Sequence, residues 1–436
     1  MDNLEPNSNQ QSWFEQLEKE SWSAELIISG AAIYGSLQLP WLLTKMVNYS
    51  LLNFSDDILQ ILYLFFSYLI FAISSLMISF IVHFILRSIW VGLIGLSSVY
   101  PHGVNEESEN YSKHYLQQLK ADFGDLRSYA VTIDRTCSTM FAFSFRFAML
   151  FTSIALMVLV TTIVAYGIHQ LLPQFPFNTI FIILLSTLVV PGMIAGVLNA
   201  KKLRDKAWVQ KIHYLLLVKI SGRIMFNFLH QPIQYINSTF ITNQKKRANT
   251  LGMLGYMLLI LPVFLVVFLQ SNVMYSIQRY YFSNADREDR FYSVHYEDQL
   301  KTDQLIQNPT IPSSEITVVG VKLFLPLPTR EEVVLNKKYG EYKMDSTLNE
   351  SQNLLRSRAW IKEQAKKYFH IELNGQTFLP KRLRFYNHHN ANEYGFLAYI
   401  PDSLLLSGEN LIYIQSDYQY KGKKRESFIP FWYSVK

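Results

Sequence analysis

Residues 201–250 of this chain carry ten lysines or arginines (Lys201, Lys202, Arg204, Lys206, Lys211, Lys219, Arg223, Lys245, Lys246, Arg247) against one acid, Asp205, and residues 251–270, which follow directly, carry no charge. No other feature constrains the fold as much. An apolar run of about 20 residues crosses a bilayer, and an excess of basic residues beside it belongs on the cytoplasmic face. The rest of the chain can be oriented from this junction.

Five runs are long and apolar enough for a crossing: 24–43, 58–82, 147–172, 179–200 and 251–275. Half of the residues are hydrophobic and 17% are charged, a charged fraction low for a water-soluble chain. The formal charge of +6 is concentrated beside apolar runs, so a cytoplasmic-face bias explains it without nucleic acid as a partner. Residues 1–23 form a polar tail in which Glu5, Glu15, Glu18 and Glu20 outweigh Lys19. This tail lacks the basic start of a cleaved signal peptide, and the first run is expected to remain as a membrane helix.

The segment Ile212–Leu229 could make a sixth crossing. Its ten Leu, Ile, Val and Phe residues contribute about −3 to −6 kcal/mol on an insertion scale, while Lys219 and Arg223 cost about +2.5 to +3.5 kcal/mol each. His213, Gly222 and Asn227 tip the sum against insertion. The expected layout is therefore a membrane domain at 24–275 with cytoplasmic helical segments at 101–146 and 201–250. The N-terminus is cytoplasmic, and an extracytoplasmic domain occupies 276–436. A crossing by Ile212–Leu229 would move that domain to the cytoplasm.

Small residues at helical spacing in the first run (Gly30, Ala31, Ala32, Gly35, Ser36) predict close approach of a neighbouring helix. The second run stays apolar beyond His83 and Arg87 to Tyr100. One helix from Ile58 to Tyr100 would be roughly 64 Å long, twice the hydrocarbon thickness, so the part after Arg87 is expected to lie in the interface or on the cytoplasmic side. His83 and Arg87 would then sit at headgroup level. RSIWVGLIGLSSVYPHG (Arg87–Gly103) resembles a stretch recurring in bacterial multi-pass membrane proteins without an assigned activity, and the ending IPFWYS (Ile429–Ser434) is similar to their C-termini. The resemblance implies a shared architecture in the bacterial inner membrane and supplies no catalytic residue.

Leu116, Leu119, Phe123, Leu126, Ala130, Ile133, Cys137 and Met140 recur at three- and four-residue intervals. They form the seam of an amphipathic helix, expected to pack on the chain's own helices, with Asp134 off the seam. The third and fourth runs make a hairpin across the uncharged loop Pro173–Asn178. Pro191 and the Gly192–Gly196 spacing in the fourth predict a bend or a close contact.

After residue 275 the pattern changes. Ile316–Leu327 reads as a strand and Glu350–Tyr368 as a helix. Phe369–Leu373 precedes Asn374-Gly375, a type I′ hairpin signal. Thr377–Tyr386, Tyr394–Ile400, Leu411–Ser416 and Ser427–Tyr433 follow as strands. In residues 410–415, Ile412 and Ile414 alternate with Leu411, Tyr413 and Gln415, placing the two isoleucines on one face. The fold class expected is an α-helical membrane domain with about five transmembrane helices, plus a mainly-β, sandwich-like soluble domain of immunoglobulin type. With Cys137 the lone cysteine, no internal disulfide can staple it.

Chemical motifs are sparse. No Walker A loop, HExxH, CxxC or GxSxG occurs, and no catalytic, cofactor-binding or metal residue is assigned. The nearest metal-like cluster is His388-His389 with Glu393. Adjacent histidines on a strand face opposite sides, so an exposed turn is the expected outcome; His295 and His370 are remote in sequence. Lys421–Arg425 reads as a solvated basic turn that Lys381, Arg382 and Arg384 would join if the strands paired. The crossings have almost no ionisable residue at mid-depth, since Glu25, Arg146 and His169 fall near their ends; a coupled transporter would place some there. These features favour a membrane-anchored binding or scaffolding protein. Its partners would be the bilayer, an envelope protein or polysaccharide, or a second copy, and it needs no cofactor. An oligomeric channel or transporter is the alternative, and a lipid- or glycan-processing enzyme a third.

Overall fold

The computed structural model describes residues 8–101, 103–105, 107–123, 126–200, 202–215, 230–277, 291–300, 305–390, 393–420 and 423–434. The chain forms two compact units, one of Met1–Val47 with Gln60–Met274, the other of Asn48–Leu59 with Tyr275–Lys436.

The first unit is helical, built from α1 (Ser8–Asn53) up to Val47, α2 (Asp56–Val99) from Gln60, α3 (Lys113–Phe123), α4 (Leu126–Leu171), α5 (Phe177–Leu198), α6 (Ala207–Tyr214), α7 (His230–Asn243) and α8 (Lys246–Gln270). Four described segments are long and apolar enough to cross a membrane: Asp56–Val99, Ser128–Leu171, Phe177–Leu198 and Thr250–Gln270. The expected first crossing, 24–43, falls on α1, which is not among the four; the side chains of 24–29, Glu25 included, lie outside the described residues. A Cβ added at Gly30 or Gly35 would meet nothing within 4 Å, so the neighbour predicted by the small residues of α1 is not found at these positions. Pro191 does not interrupt α5, and Gly196 likewise faces open space. Residues 216–229, which hold most of the questioned sixth crossing, lie outside the described residues.

The part after Arg87 continues the same helix. α2 is one helix of 44 residues, about 66 Å at 1.5 Å per residue. The reason is α4, itself 46 residues long, which packs against it. Arg87 is buried, donating from Nη1 to Asp134 Oδ1 at 2.8 Å, and its guanidinium lies 4.1 Å from the Trp90 ring centroid. His83 is buried too, its ring 5.1 Å from that of Phe141, and Cys137 Sγ donates to the His83 carbonyl at 3.8 Å. Both residues therefore pack against α4, and Asp134 partners the charge that interrupts the apolar sequence of α2. α4 in turn fuses two expected pieces, the last part of the segment 101–146 and the third crossing. The predicted seam is buried at Leu116, Ala130 and Cys137 and packs within the chain.

Deeper in the apolar runs, α2, α4 and α8 meet around Tyr256. Its hydroxyl is 3.0 Å from Ser75 Oγ, which also approaches the Ser144 carbonyl at 3.3 Å. Hydrogen bonds of this kind join helices where no water competes. Phe71 stacks on Phe264 at 3.9 Å and on Phe151 at 5.1 Å, and Phe143, Phe147 and Ile260 complete the cluster.

The second unit holds two sheets. One has the order β1-β8-β7-β3-β4 and the other β2-β6-β5. The strands are β1 (Glu315–Ile316), β2 (Val321–Pro326), β3 (Phe369–Leu373), β4 (Gln376–Thr377), β5 (Leu383–Asn387), β6 (Tyr394–Ile400), β7 (Gly408–Tyr420) and β8 (Lys423–Tyr433), with helices α9 (Thr329–Tyr339) and α10 (Glu350–Tyr368) between β2 and β3. One core draws on both sheets (Val321, Leu323, Phe396 and Ile400 from one; Ile371, Ile412, Ile414, Ile429 and Phe431 from the other), joined by Leu335 of α9 and Ala365 and Tyr368 of α10. The order departs from an immunoglobulin domain, because β1 runs parallel to β8 and two helices intervene.

Local sequence accounts for several elements. α10 opens on a capping box in which Asn349 accepts from Gln352 N–H at 2.8 Å and Gln352 accepts from Asn349 N–H at 3.2 Å. Asn374 and Gly375 both have positive φ, 51° and 76°, as a type I′ turn requires. The expected strand 377–386 is instead split into β4 and β5.

Candidate functional site

The sequence's metal-like cluster is partly redrawn. β5 ends at Asn387, and the turn into β6 is closed by His388 N–H donating to the Glu393 carbonyl at 2.8 Å. Outside the strand the alternation of faces lapses, so the His388 and His389 rings stack at 4.5 Å. Their third partner is Glu297, from the segment before β1, and the ligand atoms of the three residues lie within 4.8 Å of one another. Glu393 is not part of the group; its Oε1 accepts from Ile306 N–H at 2.7 Å. His295 lies elsewhere, with Nδ1 2.8 Å from the Pro309 carbonyl, and His370 is 3.0 Å from Glu372.

The hydrogen bonds of His388 define what this cluster can do. It is 1% exposed, with Nε2 3.1 Å from Glu297 Oε1 and Nδ1 accepting from Asn390 N–H at 3.3 Å. The network therefore assigns the proton to Nε2, where it is donated to the carboxylate. A zinc-class ion at Nε2 would displace that proton to Nδ1, facing another donor, whereas metal-bound histidines direct their second nitrogen at an acceptor. The cluster thus has one imidazole with both nitrogens engaged, His388, and one that is exposed, His389. The bonds of His388 join residue 297 to the β5–β6 turn.

A second cluster was invisible in the sequence. Arg425, expected on a solvated turn, is 6% exposed. Register explains this: Arg425 pairs with Ser416 on β7, on the inward side of the sheet. It forms an ion pair with Glu331 of α9 and donates to the Gln307 carbonyl and, at 2.9 Å, to Asn308 Oδ1. Tyr368 donates to the other Glu331 oxygen at 2.9 Å. Burial, and then the Glu331 carboxylate, hold the Tyr368 hydroxyl far above the usual tyrosine range, so it remains a donor. Lys381, Arg382 and Arg384 are exposed, and β5 pairs with β6 rather than β8; Lys421, Gly422 and the side chain of Lys423 lie outside the described residues.

Beside the two clusters is a cavity of about 420 Å³ lined by Leu52, Asn53, Ile306, Pro326–Thr329, Glu332, Glu393 and Tyr394. The Tyr394 hydroxyl is pushed up to about 12, first by burial and then by Glu332. In the helical unit a groove of about 530 Å³ runs along Thr139, Met140, Phe143, Lys245, Gly252, Gly255 and Tyr256. Comparison with protein families finds no matching family, and no curated protein or solved structure gives a significant match.

Proposed function

We propose that this chain is a multi-pass membrane protein whose C-terminal domain is a binding or scaffolding module for an envelope partner. The observation that supports this best is where the reactive side chains of the domain are engaged. Arg425, Glu331, Tyr368, His388 and Glu297 are held by one another or by neighbouring backbone, so the groups with most chemical capacity serve the fold. A domain built this way offers its surface.

The proposed topology has five crossings, α1 being the first, with the N-terminus cytoplasmic and the C-terminal domain extracytoplasmic. The parity of the crossings supports it. Residues 48–59, between α1 and α2, belong to the same unit as the C-terminal domain, and Tyr418 donates to Asp56 Oδ2 at 2.6 Å. Segments of one compact unit lie on one side of a bilayer, which needs an even number of crossings between residue 59 and residue 275. The four apolar segments Asp56–Val99, Ser128–Leu171, Phe177–Leu198 and Thr250–Gln270 provide it; a further crossing at Ile212–Leu229 would not. The basic residues of 201–250 then assign the sides.

Cysteine labelling in intact cells tests the arrangement, since the native Cys137 is buried. A membrane-impermeant maleimide is expected to label Ser407→Cys directly and Lys202→Cys only after permeabilisation. The reverse pattern would overturn the topology. Ion flux through the reconstituted chain, without recovery of any partner from cross-linked cells, would overturn the binding reading in favour of a channel.

A further inference from the structure

Large apolar side chains stand exposed at one end of the C-terminal unit: Val318, Val319, Tyr399, Leu404, Leu406 and Trp432, with Val318 64% and Trp432 56% exposed. The strand register gathers them. Val321 pairs with Ile400, and both Gly408 and Ile316 pair with Tyr433. The loop 317–320, the loop 401–407 and the last residues of β8 therefore open at the same end of the two sheets. Contacts between them confirm the gathering: Tyr399 donates to the Val319 carbonyl at 3.0 Å, and Gly320 N–H to the Tyr433 hydroxyl at 3.4 Å. The Trp432 ring lies beside Gly408.

These loops are pinned. Gly320 has φ +71°, and an added Cβ there would collide with the Tyr399 hydroxyl and come 2.9 Å from the Ile400 carbonyl oxygen. The buried side chain of Asn410 accepts from Leu406 N–H at 2.9 Å and donates to the carbonyls of Leu406 at 2.7 Å and Gly408 at 3.1 Å. Apolar side chains held out on ordered loops cost little further entropy on association, and a contiguous exposed apolar patch marks an interaction site.

Charge narrows the occupant. Glu315 and Glu409 are the cross-strand neighbours of Trp432, and Asp402 starts the short helical turn that ends at Leu404; all three carboxylates are exposed. The border of Tyr399, on the other sheet, is basic: Lys322 is in register with it, and exposed Lys381 and Arg382 immediately precede Leu383, the partner of Ala398, so the acidic border is that of the Trp432 side. Carboxylates flanking the tryptophan disfavour an anionic bilayer surface, which attracts basic segments. The opposite end of the strands is already engaged with residues 48–59, through Tyr418 and Asp56.

We propose that this apolar end is a docking surface for another protein, one that presents an apolar face bordered by lysine or arginine where it meets Trp432. The inference rests on the binding reading above and names its surface. The test is photo-crosslinking in cells with the full chain, carrying the photoreactive residue at Leu406, at Val318, or at exposed Lys337 of α9 as a reference. Adducts are expected from 406 and 318 and not from 337, and the crosslinked peptide should combine apolar with basic residues. The triple substitution E315K/D402K/E409K, checked for unchanged protease resistance, should cut the adduct at least tenfold. Adducts that ignore the charge reversal, that join two copies of this chain, or that consist of lipid would overturn the proposal. Adducts from 337 but not from 406 or 318 would overturn the surface and leave the binding reading standing; no adduct at any of the three positions would count against both.

Discussion

Replacing Glu331 with glutamine isolates the buried ion pair from the packing around it. The side chain keeps its size and one carbonyl acceptor, yet Arg425 loses its counter-charge at a site where the two side chains are 8% and 1% exposed. Removing one partner of a buried pair costs about 3–5 kcal/mol, because the remaining charge stays desolvated. Arg425 retains its bonds to the Gln307 carbonyl and Asn308, which places the expected cost toward the lower end of that range. Hydrogen exchange on the full chain can read it, using the amides of Ile412, Ile414, Ile429 and Phe431 in the central strands, which open with the whole domain. A loss of 3–5 kcal/mol accelerates exchange by roughly 150- to 5,000-fold. The double variant Glu331→Gln with Arg425→Met should recover much of the loss, since two neutral side chains leave no stranded charge. Acceleration under about fivefold in Glu331→Gln would refute the assignment of a buried charge pair here.

Three further outcomes follow from named contacts. His388→Ala should destabilise the domain by about 2–4 kcal/mol, through a lost buried ring and a stranded carboxylate partner, and should leave cobalt(II) absorbance of the protein unchanged; a cobalt band that disappears in the variant would make the cluster a metal site after all. Cys137 should resist maleimide until α2 and α4 separate, and Asp134→Ala should raise its labelling rate about two- to fivefold, the worth of a half-exposed ion pair; equal rates would mean the Arg87 contact does not hold the helices. Tyr394 and Tyr413 are pushed up to about 12, in each case first by burial and then by a glutamate, Glu332 or Glu426. The unfolded chain loses these protons near pH 10 and so binds fewer than the folded one between about pH 10 and 12. Stability is therefore complete below pH 10 and falls across that window. Urea titrations at stepped pH should show the fall, shallower in Tyr413→Phe; an unchanged slope would contradict the burial of that hydroxyl.

Elements that depend on local chemistry were readable in the sequence. The Asn374-Gly375 turn needs only two residues tolerant of positive φ, and α10 needs only its cap and its spacing. The inward face at Ile412 and Ile414 follows from alternation. What depends on distant segments was not readable. α9 carries five charged residues in its first and last turns and a narrow apolar face, so its periodicity is weak until Leu335 finds the shared core. Arg425 reads as part of a basic turn because nothing within ten residues announces Glu331. His388 and Glu297 are 91 positions apart, and proximity along the chain suggested Glu393 instead. The burial of His83 and Arg87 was not readable either, because the helix that covers them contributes Asp134 and Cys137 from some fifty positions away.

The absence of any possible internal disulfide gives the buried arginine a specific place in the fold. Arg425 ties β8 to residues 94, 117 and 118 positions away in sequence, joining α9 and the 307–308 segment to the sheet as a covalent bridge would. The two devices differ physically. A disulfide acts mainly by restricting the unfolded chain, whereas a buried ion pair leaves that state unrestricted and demands exact geometry in the folded one, often at a net cost relative to apolar packing. What it contributes is register. β7 and β8 are bulged between Ser416 and Gln419, and a one-residue slip of β8 would turn Arg425 outward, away from Glu331, while carrying Ile429 and Phe431 out of the core. The charge penalises that slip more heavily than an alanine or leucine at the same position would. The same register places Trp432 beside Glu315 and Glu409 at the far end of the strand, so a side chain buried at one end of β8 fixes the surface offered at the other.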